Sequence, residues 1–557
     1  MTEQIQSKRT WTNNPLKLNK IELIKLNTDG LDILNKLKYY QQKGFAAISE
    51  AEKELLKWAG IYLQRPRSEG YFMMRVKVPS GIMTSSQART LCEISRQHGR
   101  SIIDLTTRQS IQFHWLTVES LPDVIEKLSH QGLDTVEGCG DCPRNIIGNP
   151  LSGIDPNETI DARKIVGEVF DYFQRNREFS NLPRKFKISI SANLFNAGHA
   201  EINDLAFTPA LKKIGSEETK GFHVYVGGGL AALPHLAQKL DIFVRPEDVL
   251  KVSIGVATIF RDFGYREKRQ RARLKFLVAD WGREKFQSEL QKLVGPLLSS
   301  GDDLERGWNA GYFNGVHPQK QPGLNYVGLS VPLGRLSAEA LENLATLADQ
   351  YGDGFLRTSN SKNIILSGIP DEKIIALLKE PLLQQLKPFT SQFIAHMVTC
   401  TGKEFCNLAL VETKKHAQMI GKYLDEKLEL ETPVRIHVSG CKNSCGQLQI
   451  ADIGLRGSLA KINGQMVEGY EIQIGGALVP KYCFSTELEG FTPKNVVSEA
   501  LEQLLLFFKN NRINNESFHE FVQRNGTEVF QELLNIFLAT SNKAVVATTR
   551  LQSVKSA

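Results

Sequence analysis

The chain of 557 residues lacks any uncharged apolar run approaching the roughly 18 residues that a membrane helix needs. Its N-terminus, M-T-E-Q-I-Q-S-K-R-T-W, lacks the apolar core of a signal peptide, so a cytoplasmic location is expected. Cysteine is scarce: eight thiols in a chain this long do not make a disulfide scaffold. Net charge is modest as well. A formal +7 is too weak to argue for nucleic acid, though it suits an anionic cofactor, an acidic partner or simple solubility. With 41% hydrophobic and 23% charged residues the composition is that of an ordinary globular protein, long enough for two to four domains.

Half of the few cysteines stand in two pairs. The stretch T-C-T-G-K-E-F-C at 399–406 sets five residues between Cys400 and Cys406, and G-C-K-N-S-C-G-Q at 440–447 sets three between Cys441 and Cys445, with 34 residues between the pairs. A helix-like run over 409–430 and a strand-like run over 434–439 would return the second pair to the first. Four thiolates suit a soft-ligand metal centre. A 4Fe–4S cluster accepts unequal spacing. A structural zinc site usually has a shorter first spacing, and unligated thiols stay open too. A disulfide pair is disfavoured without an export signal.

The chain repeats itself. After a polar arm, Y-F-M-M-R-V-K-V-P-S-G from Tyr71 predicts a strand and turn, then a helix over 85–98, a strand pair through S-I-I-D-L-T-T-R-Q-S-I-Q-F-H-W, and a helix from Leu121. The same order returns with L-N-Y-V-G-L-S-V-P-L-G at 324–334, a helix over 337–350 and G-F-L-R-T-S-N-S-K-N-I-I-L-S-G-I. Arg108 lies 30 residues after Val78, and Ser361 lies 30 after Val331. A looser match pairs L-P-R-K-F-K-I-S-I-S and V-Y-V-G-G-G-L with P-V-R-I-H-V-S-G and I-Q-I-G-G-A-L. A duplicated α+β unit is therefore expected, with two small and two larger domains.

Cations gather at element ends in the first half: Arg75, Arg108, Arg144 in C-G-D-C-P-R-N, and Lys185 and Lys187, whose alternation places them on one strand face. The densest basic run is Y-R-E-K-R-Q-R-A-R-L-K at 265–275. Gly227–Gly229 lack the strand–loop–helix setting of a nucleotide site and read as close backbone packing. Cys139 and Cys142 form a C-x-x-C with no second pair beside it, and Cys92 and Cys483 read as ordinary buried cysteines.

C-T-G-x-x-F-C followed by G-C-x-N-S-C-G-Q resembles the cluster motif of the sirohaem-dependent nitrite and sulfite reductases. Lys442 stands where that family often has proline. The resemblance spans about 60–510 and implies the internally duplicated sirohaem-reductase fold. Its expected divisions are an N-terminal arm (1–65), a first ferredoxin-like half domain (66–135), a sirohaem and substrate domain (136–310), a second half domain (311–388), a cluster and sirohaem domain (389–540) and a flexible tail (541–557). It implies that Cys400, Cys406, Cys441 and Cys445 hold a 4Fe–4S cluster, with Cys445 bridging to the sirohaem iron. Sirohaem carries eight carboxylates, which call for many cations, arginine above all. The resemblance places Arg75, Arg144, Lys185 and Lys187 around the substrate anion. It places Arg108 and Gln112 against the macrocycle, Asn145 in the same pocket, and part of a basic helix, with Arg269 and Arg273, near the cofactor carboxylates. It further suggests a covalent Tyr62–Cys139 link of the kind some sulfite-reducing relatives carry.

The implied activity is assimilatory six-electron reduction of nitrite to ammonia, with reduction of sulfite to sulfide as the alternative. C-T-G-K-E-F-C-N-L-A-L-V-E-T-K, G-N-P-L-S-G-I-D-P and H-A-E-I-N-D-L-A-F resemble the nitrite branch, whereas Lys187 and C-G-D-C-P-R resemble sulfite enzymes. With no flavin or nicotinamide domain apparent, the expected donor is reduced ferredoxin, with flavodoxin or a flavoprotein subunit as the alternative. No nucleic acid or membrane partner is expected, and the chain can act as a monomer. A rival class, a non-catalytic iron–sulfur carrier or sensor, would need the cysteines but not the basic pocket.

Overall fold

The computed structural model describes residues 17–308, 313–390, 393–462, 464–479, 482–540 and 549–550. The tail expected at 541–557 lies outside the described residues except for that last pair, and so does the start of the arm.

Phe72–Val76 alternates buried and half-buried residues, as a strand with one covered face should. It pairs antiparallel with Ile61–Leu63 on one side and Ile111–Leu116 on the other, and Ile102–Leu105 follows. The outer strand of this five-stranded sheet comes from the other half of the chain: Arg335–Ser337 sets Leu336 opposite Ile103. The second small sheet runs Gly315–Pro318, Leu324–Leu329, Ile364–Pro370, Phe355–Thr358, and closes on Ile82–Thr84 of the first half, with Met83 opposite Leu356. Each half thus lends the other one strand. A helix follows each lent strand, Ser85–His98 and Ala338–Tyr351, capped by Thr84 and Ser337. Their apolar faces, Leu91 and Ile94 with Leu341 and Leu344, meet in one core shared by both sheets.

The halves also repeat their turns. Ser80 and Leu333 hold left-handed backbone (φ 50° and 54°) in matching Pro-X-Gly turns. After the inner strands, Thr106 N–H bonds Ser110 O at 3.0 Å and Gln109 N–H bonds Thr106 O at 3.1 Å. The equivalents, Ser359 to Asn363 and Lys362 to Ser359, are both 3.0 Å. Gln109 and Lys362 are both left-handed, at φ 58° and 68°.

The two larger sheets have one plan. In the first, Ile188–Ile190 lies parallel to Ile147–Gly148 and to Leu205–Ile214, which turns back as Glu217–Val226. In the second, Ile436–Ser439 lies parallel to Met397–Thr399 and to Ile453–Ile462, which turns back as Gln465–Ile474. Helices Arg163–Phe173, Val249–Phe263 and Leu274–Val294 cover the first, and Lys414–Lys427 and Val497–Asn511 cover the second. This is the duplicated α+β architecture read from the repeat.

Three expectations need correction. The helix expected over 409–430 is Lys414–Lys427, because Leu410 N–H bonds Gly440 O (2.7 Å) and Lys403 N–H bonds Val411 O (3.1 Å), tying the preceding residues into a loop. The basic run at 265–275 is loop and one short turn, Arg269–Arg271; its helix begins at Leu274. Cys92 is buried as expected, but Cys483 is only half-buried. No helix among the described residues is long and apolar enough to cross a membrane.

Candidate active site: four cysteines facing a basic pocket

The parallel strands Met397–Thr399 and Ile436–Ser439 end side by side, so the cysteine pairs that follow them are neighbours. Cys400 N–H bonds Val438 O at 3.0 Å, and Gly440 N–H donates to Cys400 Sγ at 3.2 Å. Thr413 Oγ1 donates to Cys400 O at 2.8 Å. Gly402 holds φ 77°, and a Cβ there would meet Thr413 Oγ1 at 2.6 Å, so the loop closes only on glycine. Gly446 sits 2.5 Å from Val438 O by the same measure, and its N–H bonds Ser439 Oγ at 3.0 Å.

All eight cysteines are free thiols. Burial and then the nearby Cys445 push Cys400 up to about 11 and Cys441 up to about 12, and raise Cys406 as well. Four thiolates so placed repel one another unless a multivalent cationic core lies between them. Among the described residues no three His, Cys, Asp or Glu side chains gather tightly enough to hold one metal ion. Four thiol donors on neighbouring loops are the donor set an iron–sulfur cluster takes.

Cys445 is the exposed member of the quartet, and its carbonyl accepts from Thr107 Oγ1 of the first half at 3.2 Å. Across from it lie the cations. Arg75 stands on its strand opposite Gln112, and its Nη1 donates to Gly138 O (3.2 Å) and Cys139 Sγ (3.3 Å). Arg144 is anchored by its own N–H to Phe186 O (2.9 Å) and donates to Gly138 O (3.0 Å) and Gly140 O (2.6 Å). Arg108 donates to Asn203 Oδ1 (2.8 Å) and Asn145 O (2.7 Å). Asn145 Nδ2 in turn bonds Val78 O (2.8 Å) and Arg108 O (2.9 Å). Gln112 is buried, with its amide on Met73 Sδ at 3.2 Å.

Lys185 and Lys187 lie in the extended chain just before Ile188–Ile190, with the buried Phe186 on the opposite side. Neither ammonium hydrogen-bonds or ion-pairs with another described residue; the 187 backbone N–H bonds Asp204 at 2.9 Å. Burial, Arg273 and Arg184 push Lys185 down to about 7, against the raising effect of Cys445. Burial, Arg108 and Lys185 push Lys187 well below the usual lysine range. Arg108 is pushed down to about 9 by burial and then Arg144. Five cations therefore crowd one space, and Arg108 Nε, Arg144 Nε and Asn145 Oδ1 are buried with no hydrogen-bond partner. Such a cluster is costly unless anions enter it. A macrocycle of many carboxylates and a small oxyanion fit that donor set.

Arg269 and Arg273 are placed differently from the other cations. Arg269 grips Asp141 (2.8 and 3.1 Å), and Arg273 grips Asp204 (3.0 and 2.7 Å). Sequence reasoning missed both carboxylates, along with Asn203, Arg184 and Lys25. Asp141 also receives Arg184 (3.0 Å) and Lys25 of the arm (3.5 Å), and these cations hold its carboxyl far below the usual range despite burial. The only sequence signal was its place within C-G-D-C-P-R. Glycine 227–229 does pack closely: a Cβ on Gly228 would meet Glu201 O at 2.4 Å, and one on Gly229 would meet Arg273 at 2.9 Å. Tyr62 lies near Cys139, Arg144 and Arg75; burial and then Cys139 push its hydroxyl up to about 12.

The chain matches the nitrite and sulphite reductase 4Fe–4S domain over 139–296 and 391–540, and the nitrite/sulfite reductase ferredoxin-like half domain over 64–130 and 317–383. The chain belongs to the nitrite and sulphite reductase family. Within that family it is 43% identical to a ferredoxin–nitrite reductase of Synechococcus elongatus, over 83% of this chain and 90% of that protein. It is 36% identical to the assimilatory ferredoxin-dependent nitrite reductase of Haloferax mediterranei, over 92% and 93%. The solved structure of the Mycobacterium tuberculosis NirA protein superposes with a TM-score of 0.86 at 31% identity, covering 92% of this chain and 97% of that one.

Proposed function

We propose that this protein is an assimilatory, cytoplasmic nitrite reductase that carries nitrite to ammonia by six electrons taken from reduced ferredoxin. Its cofactors are a sirohaem and a 4Fe–4S cluster, the cluster held by Cys400, Cys406, Cys441 and Cys445. When bound, the pair supplies the iron on which the oxyanion is reduced and the store from which electrons reach it. The observation that carries the reading is the crowd of cations beside Cys445. An iron–sulfur carrier has no use for it, and the related chains named as ferredoxin–nitrite reductases span nearly the whole protein.

The residues divide the work. Arg75 and Arg144 are fixed by carbonyls on one side, which leaves the rest of their guanidinium N–H groups to hold anion oxygens. Lys185, pushed down to about 7, is suited to give a proton from Nζ and take one back near neutral pH. Lys187 adds positive charge from the same face. Arg108, Gln112 and Asn145 would line the macrocycle. Arg269 and Arg273, gripped by Asp141 and Asp204, keep the rim basic. The electrostatic influence of Cys139 on Tyr62 is in keeping with the suggested link, and intact-peptide mass spectrometry tests it: separate, unmodified peptides for the two residues would refute it.

Sulfite to sulfide is the second reading, favoured by one observation, the second unpaired ammonium at Lys187. Steady-state reduction of nitrite and sulfite side by side, with reduced ferredoxin and with a small one-electron donor, decides between them. Faster kcat/KM for sulfite would overturn the nitrite assignment. A visible spectrum with a bare cluster shoulder and no sirohaem bands would overturn both.

A further inference from the structure

Two turns at equivalent places carry different residues. In the first half Gln109 is fully buried, and its Nε2 donates to Ser80 O (3.1 Å) and Gly148 O (3.1 Å). In the second half Lys362, 4% exposed, sends its Nζ to the equivalent pair of carbonyls, Leu333 O (2.9 Å) and Thr399 O (3.0 Å). Thr399 is the residue before Cys400. The neutral amide does the same local work, since the first turn closes just as well with it. A cation at this buried place therefore asks for a reason beyond the turn.

A second ammonium lies beside it. Lys414 Nζ donates to the same Leu333 O at 2.6 Å and lies 3.6 Å from Asp104. Asp104 is already gripped by both arms of Arg335 (2.7 and 3.0 Å), whose remaining nitrogen bonds Glu404 at 3.0 Å. Three cations thus face two carboxylates, and among the described residues no carboxylate forms an ion pair with Lys362. Among the described residues no further carboxylate ion-pairs with either ammonium. A cube bound by four thiolates is a net anion, and reduction makes it more so; buried charges close to such a cluster are among the factors that set its potential.

We propose that the buried Lys362–Lys414 ammonium pair sets the potential of the cluster held by the four cysteines, its positive charge favouring the reduced, more anionic state. Lys362 is a tuning residue: it touches no substrate and acts on the cluster through its field. The inference rests on the cluster assignment above and deepens it.

The test is Lys362→Gln, which gives the second turn the residue of the first. The readout is the cluster midpoint from an EPR-monitored redox titration of the holoenzyme, at cluster iron content matched to wild type. A midpoint clearly more negative than wild type is expected in Lys362→Gln, with Lys362→Arg staying much nearer wild type because it keeps the charge. A wild-type midpoint in fully loaded Lys362→Gln overturns the proposal, and so does an equal shift in both variants, which would mark a structural role. If Lys362→Gln does not retain its cluster, Lys414→Gln is titrated instead, and there a lower midpoint supports the proposal and an unchanged one overturns it. Absence of any four-iron signal in the wild-type protein is a different failure, that of the cluster reading itself.

Discussion

The turn Thr106–Ser110 and the turn Ser359–Asn363 close with the same backbone bonds, yet they point different chemistry inward. The first extends Arg108 to Asn203 and Asn145, at the floor of the cation pocket. The second has Ser361 at that place, bonded to Ser359 Oγ at 2.8 Å, and no long cation reaches a pocket from it. One residue further on, the first half has a neutral glutamine and the second a lysine. The larger domains diverge likewise: the strand pair that ends at Thr399 and Ser439 delivers cysteines, whereas its counterpart in the first half leads from Lys185 and Lys187 into Ile188–Ile190. A duplicated scaffold keeps its backbone hydrogen bonds and changes the side chains that those bonds present. One half gathers positive charge and the other gathers thiolates, and Cys445 is where they meet.

The sharpest way to break this division is at the meeting point. If Cys445 joins the two cofactors as proposed, Cys445→Ser should abolish six-electron turnover even in protein fully loaded with both; wild-type nitrite turnover in such protein would overturn that role. Next in size is Asp141→Asn. The carboxyl is buried and holds Arg184 and Arg269, with Lys25, which also pairs with Glu22, at 3.5 Å; its loss strands the two arginines and should cost about 3–5 kcal/mol in denaturant unfolding. Because its folded carboxyl lies below the unfolded value, its stabilisation is present above the ordinary carboxylate range, near pH 4, and fades as pH falls further. The variant should therefore lose most stability at neutral pH and progressively less in acid.

Arg108→Ser gives the first half the residue of the second. It removes charge-assisted bonds worth about 1.5–3 kcal/mol, so sirohaem retention should fall roughly tenfold to a hundredfold while cluster iron stays. Soret absorbance against iron content checks it, and equal loss of both cofactors would count against the division of labour. Smallest is Lys187→Asn. A second ammonium favours the more highly charged anion, so the sulfite-to-nitrite ratio of kcat/KM should drop by about tenfold for each 1.4 kcal/mol of differential contact. An unchanged ratio would show that Lys187 does not set specificity.

Much of this was legible beforehand, for identifiable reasons. The helix over 85–98 appears where apolar spacing placed it, and the cysteine pairs meet because a strand returns the second to the first. Arg75, Arg144, Lys185 and Lys187 do share one neighbourhood. What escaped was non-local. Read from the sequence, the turn passes straight to the helix over 85–98; the strand Ile82–Thr84 between them forms only by pairing with the second half of the chain. The basic run at 265–275 has helical composition, yet Arg269 and Arg273 are pinned to Asp141 and Asp204, each more than 60 residues earlier, and those grips hold the segment open. A search for cations also passes over the carboxylates that orient them.

The lent strands have a consequence of another kind. A chain ending before residue 315 would carry the strand 82–84 with no sheet to complete, and its own first sheet would lack 335–337. Both sheets would then show raw edges. Two copies of a single half, however, could exchange those strands and close both. The architecture is thus that of a two-fold symmetric dimer whose subunits have been written into one polypeptide. A homodimer must repeat every substitution on both sides of its axis. Fusion lifts that requirement, and it is what allows Arg108 and Gln109 on one side to answer to Ser361 and Lys362 on the other.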